Sequence, residues 1–271
     1  MSIEPLLVVE FALIGVLTGF LAGLLGIGGG MIMVPFVAAI LSNRGVAPDL
    51  AVKMGIATSM ATIAFTSASS VLAQHRRGAL RWDIVRSLTP GIVLGAALAS
   101  LGVFALLKGR WLAILFGVFV LFSATQILIG KKPAPSRTLP GPAGQLAAGG
   151  LIGFLSGLVG AGGAFVSVPF MIWCNVAAHH AVATSAALGF PIAFANVAGY
   201  IVSGWNVQDL PVGAFGYLYL PALLVIAIAS VSMAPLGVRA AHALPVEQLR
   251  RVFALLLYLL GGYMLYQGLV G

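Results

Sequence analysis

Acidic side chains are scarce in this sequence, which has only 6 Asp and Glu residues among 271. No two of them lie three or four residues apart on one apolar segment. The chain therefore lacks the paired carboxylates that general acid–base catalysis uses, and it lacks a carboxylate cage for a hard metal ion. It also has few negative charges that would repel a bound anion.

Cysteine and nucleotide-binding motifs are missing as well. The single cysteine, Cys174, excludes an intramolecular disulfide framework and a metal site built from several cysteines. The stretch GIGGG (Gly26–Gly30) has neither the lysine of a P-loop nor the spacing of a dinucleotide fingerprint. We therefore expect no cofactor and no metal. An intramembrane enzyme with a serine–histidine dyad that uses Ser156 stays an alternative, although no motif supports it.

Charged residues of both signs make up 7% of the chain, whereas hydrophobic residues make up 61%. A soluble domain carries roughly a quarter charged residues, so this composition excludes one. The apolar runs reach the ~20 residues of a transmembrane helix, which predicts an all-α polytopic protein surrounded by lipid in the cell (inner) membrane. We expect no cleavable signal peptide, because Glu4 and Glu10 stand where a basic region would precede a short apolar one.

Ten apolar segments are predicted, five on each side of the polar, proline-rich linker GKKPAPSRTLPGP. The sequence thus divides into a first repeat (1–130), a linker (131–142) and a second repeat (143–271). The second segment of each repeat is short, and the sequence leaves open whether it crosses the membrane or turns back. The segments are 5–26, 28–42, 50–73, 84–107, 111–129, 145–161, 164–178, 181–203, 215–238 and 249–270.

The net charge of +8 comes from basic residues in the connectors. Such a pattern follows the positive-inside rule and indicates a membrane protein rather than a nucleic-acid partner. The connector Ser203–Gly216 has no Lys or Arg, yet it occupies the place in its repeat where the first repeat has an arginine-rich connector. The two repeats are therefore predicted to face opposite ways. Ten of the 14 basic residues would lie in the cytoplasm: Arg76, Arg77, Arg81, Arg86, Lys131, Lys132, Arg137, Arg239, Arg250 and Arg251.

A glycine-rich phrase occurs once in each repeat. GLLGIGGGMIMVPF (Gly23–Phe36) matches GLVGAGGAFVSVPF (Gly157–Phe170), and 13 of 22 positions are identical when Gly15–Phe36 is aligned with Gly149–Phe170. Downstream, ATS at Ala57–Ser59 recurs in the second repeat. Paired helix breaks in inverted repeats are a pointer to the binding site of a secondary transporter.

Each glycine cluster predicts a broken helix or hairpin at the interface of the repeats. Irregular backbone survives inside a membrane only where protein or a water-filled cavity covers it, and the N-terminus of a restarting helix favours an anion. We therefore expect the two breaks to bind a small anionic substrate. The predicted binding residues are Gly26, Gly28, Gly29, Gly30, Thr58, Ser59, Gly160, Gly162, Gly163, Thr184, Ser185 and Asn196.

Several of these features also have a structural interpretation. The hydroxyls of Thr58, Ser59, Thr184 and Ser185 could bond to carbonyls one turn back. The glycine clusters could form tight inert turns. Glycines that recur every four residues are typical of close helix packing; these are Gly15, Gly19, Gly23, Gly149, Gly153 and Gly157.

Ionisable residues supply candidates for proton coupling, because charge inside a membrane is costly. The candidates are Glu10, His75, His179 and His180. Lys53 either attracts an anion or extends to the membrane surface. The aromatic residues Trp82, Trp111, Trp205, Tyr217 and Tyr219 are interpreted as interfacial belts.

The two glycine–VPF phrases, with HHAVATS (His179–Ser185) after the second, resemble the sulfite exporter TauE/SafE family of membrane transporters. The resemblance covers nearly the whole chain. It implies transport of sulfite, organosulfonates or related organic anions. The first repeat departs from the pattern, because KMGIATS (Lys53–Ser59) has no histidine.

The leading interpretation is thus a secondary transporter that works by alternating access, with export as the favoured direction. An anion channel is the main alternative. The sequence leaves open the anion, the direction, the coupling ion and the oligomeric state, and it permits a homodimer.

Overall fold

The computed structural model describes residues 5–25, 29–76, 78–130, 136–243 and 246–270. Within these ranges the regular secondary structure is helical apart from one two-stranded hairpin. Eight of the described helices are long and apolar enough to cross a membrane. The first part of the chain contains α1 (Pro5–Leu25), α2 (Gly30–Asn43), α3 (Pro48–Arg76), α4 (Trp82–Ala97), a π-helical stretch (Leu98–Val103), α5 (Phe104–Leu106) and α6 (Gly109–Ile129). The second part contains α7 (Pro142–Val159), α8 (Ala164–Trp173), α9 (Ala178–Gly204), β1 (Ala214–Phe215), β2 (Leu218–Tyr219), α10 (Leu220–Ala243) and α11 (Val246–Val270).

The helices begin and end at residues that favour such boundaries. Gly130 ends α6 in a left-handed conformation with φ 64°, which glycine adopts without strain. Pro142 occupies the first turn of α7, where its missing N–H has no intrahelical acceptor to lose. The ten predicted segments all correspond to helices. One prediction is wrong in detail: the segment expected from residue 215 begins as the β1–β2 hairpin, and α10 starts only at Leu220.

The two parts of the chain pack across one another. The helix α1 packs along α10, α7 packs along α4, α3 packs along α9, and α6 packs along α11. Each of these four pairs joins a helix from before the linker to one from after it. The interface between the two parts is therefore extensive.

Glycines bring two of these pairs close together. A Cβ at Gly15 in α1 would lie 2.6 Å from the Ala229 Cβ of α10, and a Cβ at Gly153 in α7 would lie 3.0 Å from the Ala96 nitrogen of α4. Gly19 and Gly149 face the same partner helices just as closely. The packing interpretation is confirmed for these four glycines; the surroundings of Gly23 lie outside the described part of the chain.

The outer surface of the bundle is apolar. Leu98, Phe194 and Leu259 are 67%, 68% and 73% exposed. A continuous belt of such side chains is stable only in a non-aqueous solvent. The chain is accordingly a multi-pass membrane protein.

Candidate functional site

Each glycine cluster lies between a long helix and a short one. The first interruption separates Leu25, the last residue of α1, from Gly30, the first of α2; Gly26 and Gly28 lie outside the described residues. In the second, Gly160 and Gly163 have φ values of 70° and 76°, in the left-handed region that disfavours a side chain. The predicted break is confirmed at the second cluster, whereas the first predicted break falls largely on residues outside those that the structure describes.

The helices that follow the breaks are too short to cross a membrane alone. The 14 residues of α2 and the 10 of α8 span about 21 Å and 15 Å, against a hydrocarbon core of about 30 Å. Arg44, just after α2, forms an ion pair with Glu10 near the start of α1 at 3.2 Å. The backbone N–H of Arg137, just before α7, donates to the carbonyl of Trp173 at the end of α8. Both short helices therefore return toward the end where the preceding long helix begins.

The two breaks meet at one hydroxyl of α3. The Ser59 Oγ lies 3.3 Å from the carbonyl oxygen of Gly30 and 3.3 Å from that of Gly160. A Cβ at Gly30 would lie 2.6 Å from the Gly160 carbonyl oxygen, so the backbones of the two breaks are in direct contact. Ile63, one turn further along α3, contacts the positions of Gly30 and Gly162. Gly30, Ser59 and Gly160 are all buried, so the contact between the described parts of the two breaks is closed in this structure.

The start of α8 presents backbone donors at this place. The N–H groups of Val166 and Ser167 bond to the Gly163 carbonyl at 3.1 and 2.9 Å. Within the described residues, the two preceding N–H groups of the helix, at Ala164 and Phe165, have no acceptor. Together with the positive end of the helix dipole, free N–H groups are suited to an anion.

A second set of polar groups lies behind α8. The hydroxyls of Ser167 and Ser185 are buried and 2.7 Å apart. The Asn196 Nδ2 donates to the carbonyl of its own helix at Ile192, whereas its Oδ1 faces Gly157 and, like Ser156 Oγ, has no hydrogen-bond partner within the described part of the chain. The sequence analysis did not single out Ser167, although a serine in the apolar phrase AFVSVPF was a signal available to it.

Thr58 and Thr184 each accept a backbone hydrogen bond from the other part of the chain. The N–H of Tyr219, directly before α10, donates to Thr58 Oγ1 at 3.0 Å, and the N–H of Arg81, directly before α4, donates to Thr184 Oγ1 at 3.2 Å. Both threonines are completely buried. These hydroxyls therefore hold the starts of α10 and α4, instead of bonding one turn back on their own helices as the structural interpretation expected.

The four proton-coupling candidates contact groups outside the breaks. Glu10 pairs with Arg44, the Trp82 Nε1–H donates to His75 Nδ1 at 3.2 Å, and His180 Nδ1 lies 2.7 Å from the Ala79 carbonyl oxygen. The rings of His179 and His180 are 4.0 Å apart. The three histidines thus gather around the connector between α3 and α4.

Lys53 does not reach the membrane surface, so the expectation that it extends there is wrong. It is 9% exposed, and its Nζ donates to the Ala105 carbonyl at 3.1 Å. Tyr217 and Tyr219 are also buried, at 5% and 9% exposure, because the hairpin folds them onto α3 and α1; the belt interpretation fails for these two residues. Trp82, Trp111 and Trp205 are exposed, as expected.

Sequence comparison identifies relatives over nearly the whole chain. The family profile "Sulfite exporter TauE/SafE" matches residues 11–264. A relative from Haemophilus influenzae, named "Probable membrane transporter protein", is 35% identical over 246 residues, which are 90% of this chain and 93% of the relative. A relative from Methanocaldococcus jannaschii, also named a membrane transporter protein, is 27% identical over 274 residues, covering 96% and 95%. No solved structure matches the chain. The resemblance seen in the glycine–VPF phrases is confirmed.

Proposed function

Because the chain belongs to the sulfite exporter TauE/SafE family, we propose that it moves a small anion, such as sulfite, an organosulfonate or a related organic anion, across the cell (inner) membrane. Family membership makes it a membrane transporter and not an enzyme. To family membership the proposal adds the class of transported substrate, the binding site at the helix breaks and a mechanism of alternating access. Export is the favoured direction.

The observation that carries the proposal is the contact of the two breaks beneath Ser59. Its hydroxyl bridges the carbonyl groups of Gly30 and Gly160. Two segments that are 130 positions apart in the sequence therefore meet at one site. Among the described residues, the first N–H groups of α8, which directly follows the second break, have no backbone acceptor. Backbone donors with few nearby carboxylates suit a small oxyanion better than a cation.

Inverted repeats are the second part of the proposal, and two pairs of equivalent contacts support them. The helix α1 packs on α10 as α7 packs on α4. Thr58 holds the N–H before α10 as Thr184 holds the N–H before α4. Each ATS sequence thus engages the start of the fourth predicted segment of the other repeat. An exchange of contacts of this kind is what a pseudo-two-fold axis between the repeats 1–130 and 143–271 would produce.

Alternating access follows from a closed site between two such repeats. One repeat would rock against the other and open the breaks to one side of the membrane at a time. An open channel would need a continuous path, whereas Gly30 and Gly160 are in contact. The proton gradient or the membrane potential would drive the cycle, with Glu10, His75, His179 and His180 as the candidate proton carriers.

Flux measured in vesicles separates these possibilities. We expect the purified chain in liposomes to move radiolabelled sulfite, or a small sulfonate, with a rate that saturates as the anion concentration rises and that changes with an imposed pH gradient. A rate that stays proportional to concentration would indicate a channel. Absence of flux with sulfite, sulfate, thiosulfate, small sulfonates and small carboxylates would contradict the proposal.

Accessibility of two introduced cysteines tests the inverted arrangement. In a Cys174→Ser background, Ser136→Cys in the linker should react with a membrane-impermeant maleimide only from the cytoplasmic side. Asn206→Cys, in the connector after α9, should react only from outside, because α9 is expected to cross the membrane once between them. Both positions are exposed. Reaction of both from the same side would rule out repeats of opposite orientation.

A further inference from the structure

A cavity of about 240 Å³ lies near one end of α3, apart from the helix breaks. It is open to the surface, and the start of α3, the junction between α5 and α6, and the hairpin line it. Its volume is about eight times the ~30 Å³ that one water occupies in the liquid, which is room for a small oxyanion with part of its hydration shell. The cavity is lined by Asp49, Leu50, Lys53, Leu106, Leu107, Lys108, Gly109 and Tyr217.

Lys53 brings a buried positive charge to this cavity. Its Nζ is bonded to the Ala105 carbonyl and lies 5.6 Å and 5.2 Å from the ring centres of Phe104 and Tyr217. Among the described residues, no carboxylate lies within 4 Å of this ammonium. The carbonyl, the two ring faces and the more distant carboxylate of Asp49, one turn back on α3, compensate the buried charge only in part. A lysine within a candidate membrane span is by default a functional candidate.

The other charged residues of the lining leave the cavity positive. Lys108, on the open rim, adds a second ammonium group. Asp49 is the one carboxylate that the cavity lining contains, and its Oδ1 already accepts the backbone N–H of Arg110 at 2.6 Å. Burial raises the pKa of the Tyr217 phenol, which keeps its hydroxyl protonated and able to donate to an anion.

The cavity lies on the same helix as the breaks. Ser59 follows Lys53 by six residues, which is about 9 Å along the axis of α3. We propose that the cavity around Lys53 is a second anion-binding site, a vestibule that holds a small oxyanion beside the site at the breaks. This inference rests on the proposed function, because it assumes that the anion bound here is the transported one.

Binding of radiolabelled sulfite and of acetate to the full chain in nanodiscs tests the vestibule. Lys53→Met keeps the length and apolar stem of the side chain but removes the charge, and we expect it to weaken the Kd of at least one of the two anions tenfold or more. Lys53→Arg should stay within about threefold of wild type, since it keeps the charge. The matched control is Arg86→Gln, at an exposed arginine of α4, which should leave the Kd unchanged.

Lys108→Gln provides a second test of the vestibule that does not disturb the interior of the helix bundle. Because Lys108 is exposed on the rim, the variant should fold, and it should weaken binding about threefold. Wild-type affinity in both folded Lys53→Met and Lys108→Gln would overturn the vestibule, as would binding of neither anion to the wild-type chain at millimolar concentration.

Flux through liposomes made from the same preparations distinguishes the two proposals. Normal flux with binding that does not depend on Lys53 would overturn the vestibule and leave the transport proposal standing. Lys53-dependent binding without flux of any tested anion would overturn the transport proposal alone. A raised half-saturation concentration in Lys53→Met, alongside its weaker Kd, is the result that supports both.

Discussion

Replacing Gly30 with valine is expected to lower anion flux about a hundredfold while the chain still inserts and folds in the membrane. A Cβ at this position would lie 2.6 Å from the Gly160 carbonyl oxygen, 2.8 Å from Ile63 Cδ1 and 3.2 Å from Ser59 Oγ. The Gly160 carbonyl and the Ser59 hydroxyl form the contact between the breaks. The valine side chain would therefore force the two breaks apart. Overpacking of this kind costs about 1–3 kcal/mol, and a hundredfold change in rate corresponds to about 2.8 kcal/mol.

The matched control for this substitution is Gly262→Val in α11. A Cβ at Gly262 meets nothing within 4 Å, and the residue is exposed on the lipid-facing side of the bundle. Both variants replace a glycine of an apolar helix with valine, so a difference between them reports the contact of the breaks. The measurement is the flux of sulfite or a small sulfonate in vesicles. Gel-filtration elution and thermal unfolding check that each variant is folded. Near-normal flux in a folded Gly30→Val variant would show that the breaks are not part of the transport path.

Local signals in the sequence were enough to predict the helices and their interruptions. Apolar runs predicted ten segments because lipid requires them to be continuous, and glycine clusters predicted breaks because glycine is a poor helix former that tolerates positive φ. Gly160 and Gly163 adopt that conformation. The same local reasoning missed the β1–β2 hairpin, since aromatic residues such as Tyr217 and Tyr219 suit a membrane interface and a buried hairpin equally well.

Contacts between distant residues could not be predicted in the same way. The sequence placed Thr58 and Ser59 in one functional group, but the structure gives them different partners: Thr58 faces the hairpin before α10, and Ser59 faces the two breaks. Lys53 shows the same limit. Whether a lysine five residues before Thr58 reaches the surface or is buried depends on Phe104 and Tyr217, which come from elements far along the chain.

Loss of the Ser59 hydroxyl is the second change from which a large effect is expected. In Ser59→Ala the carbonyl groups of Gly30 and Gly160 both lose their shared donor. The Gly30 carbonyl, in the first turn of α2, keeps its intrahelical donor, so the loss falls mainly on the Gly160 carbonyl, just after α7. A buried polar group left without a partner costs about 1–3 kcal/mol, and water is absent from the surrounding hydrocarbon. Because the closed contact of the breaks would be destabilised relative to open states, we expect flux to fall about tenfold, the equivalent of about 1.4 kcal/mol.

Ser123→Ala separates this effect from the general loss of a buried hydroxyl. Ser123 is 2% exposed and donates to Phe119 one turn back in α6, so its removal affects a single helix. We expect its flux to stay within about twofold of wild type, because such local bonds contribute little to stability. Ser59→Thr should keep more flux than Ser59→Ala, since it retains the hydroxyl. Equal flux in Ser59→Ala and Ser123→Ala would mean that the hydroxyl at the meeting point of the two breaks has no part in the transport cycle, and the site would have to be sought elsewhere along α3.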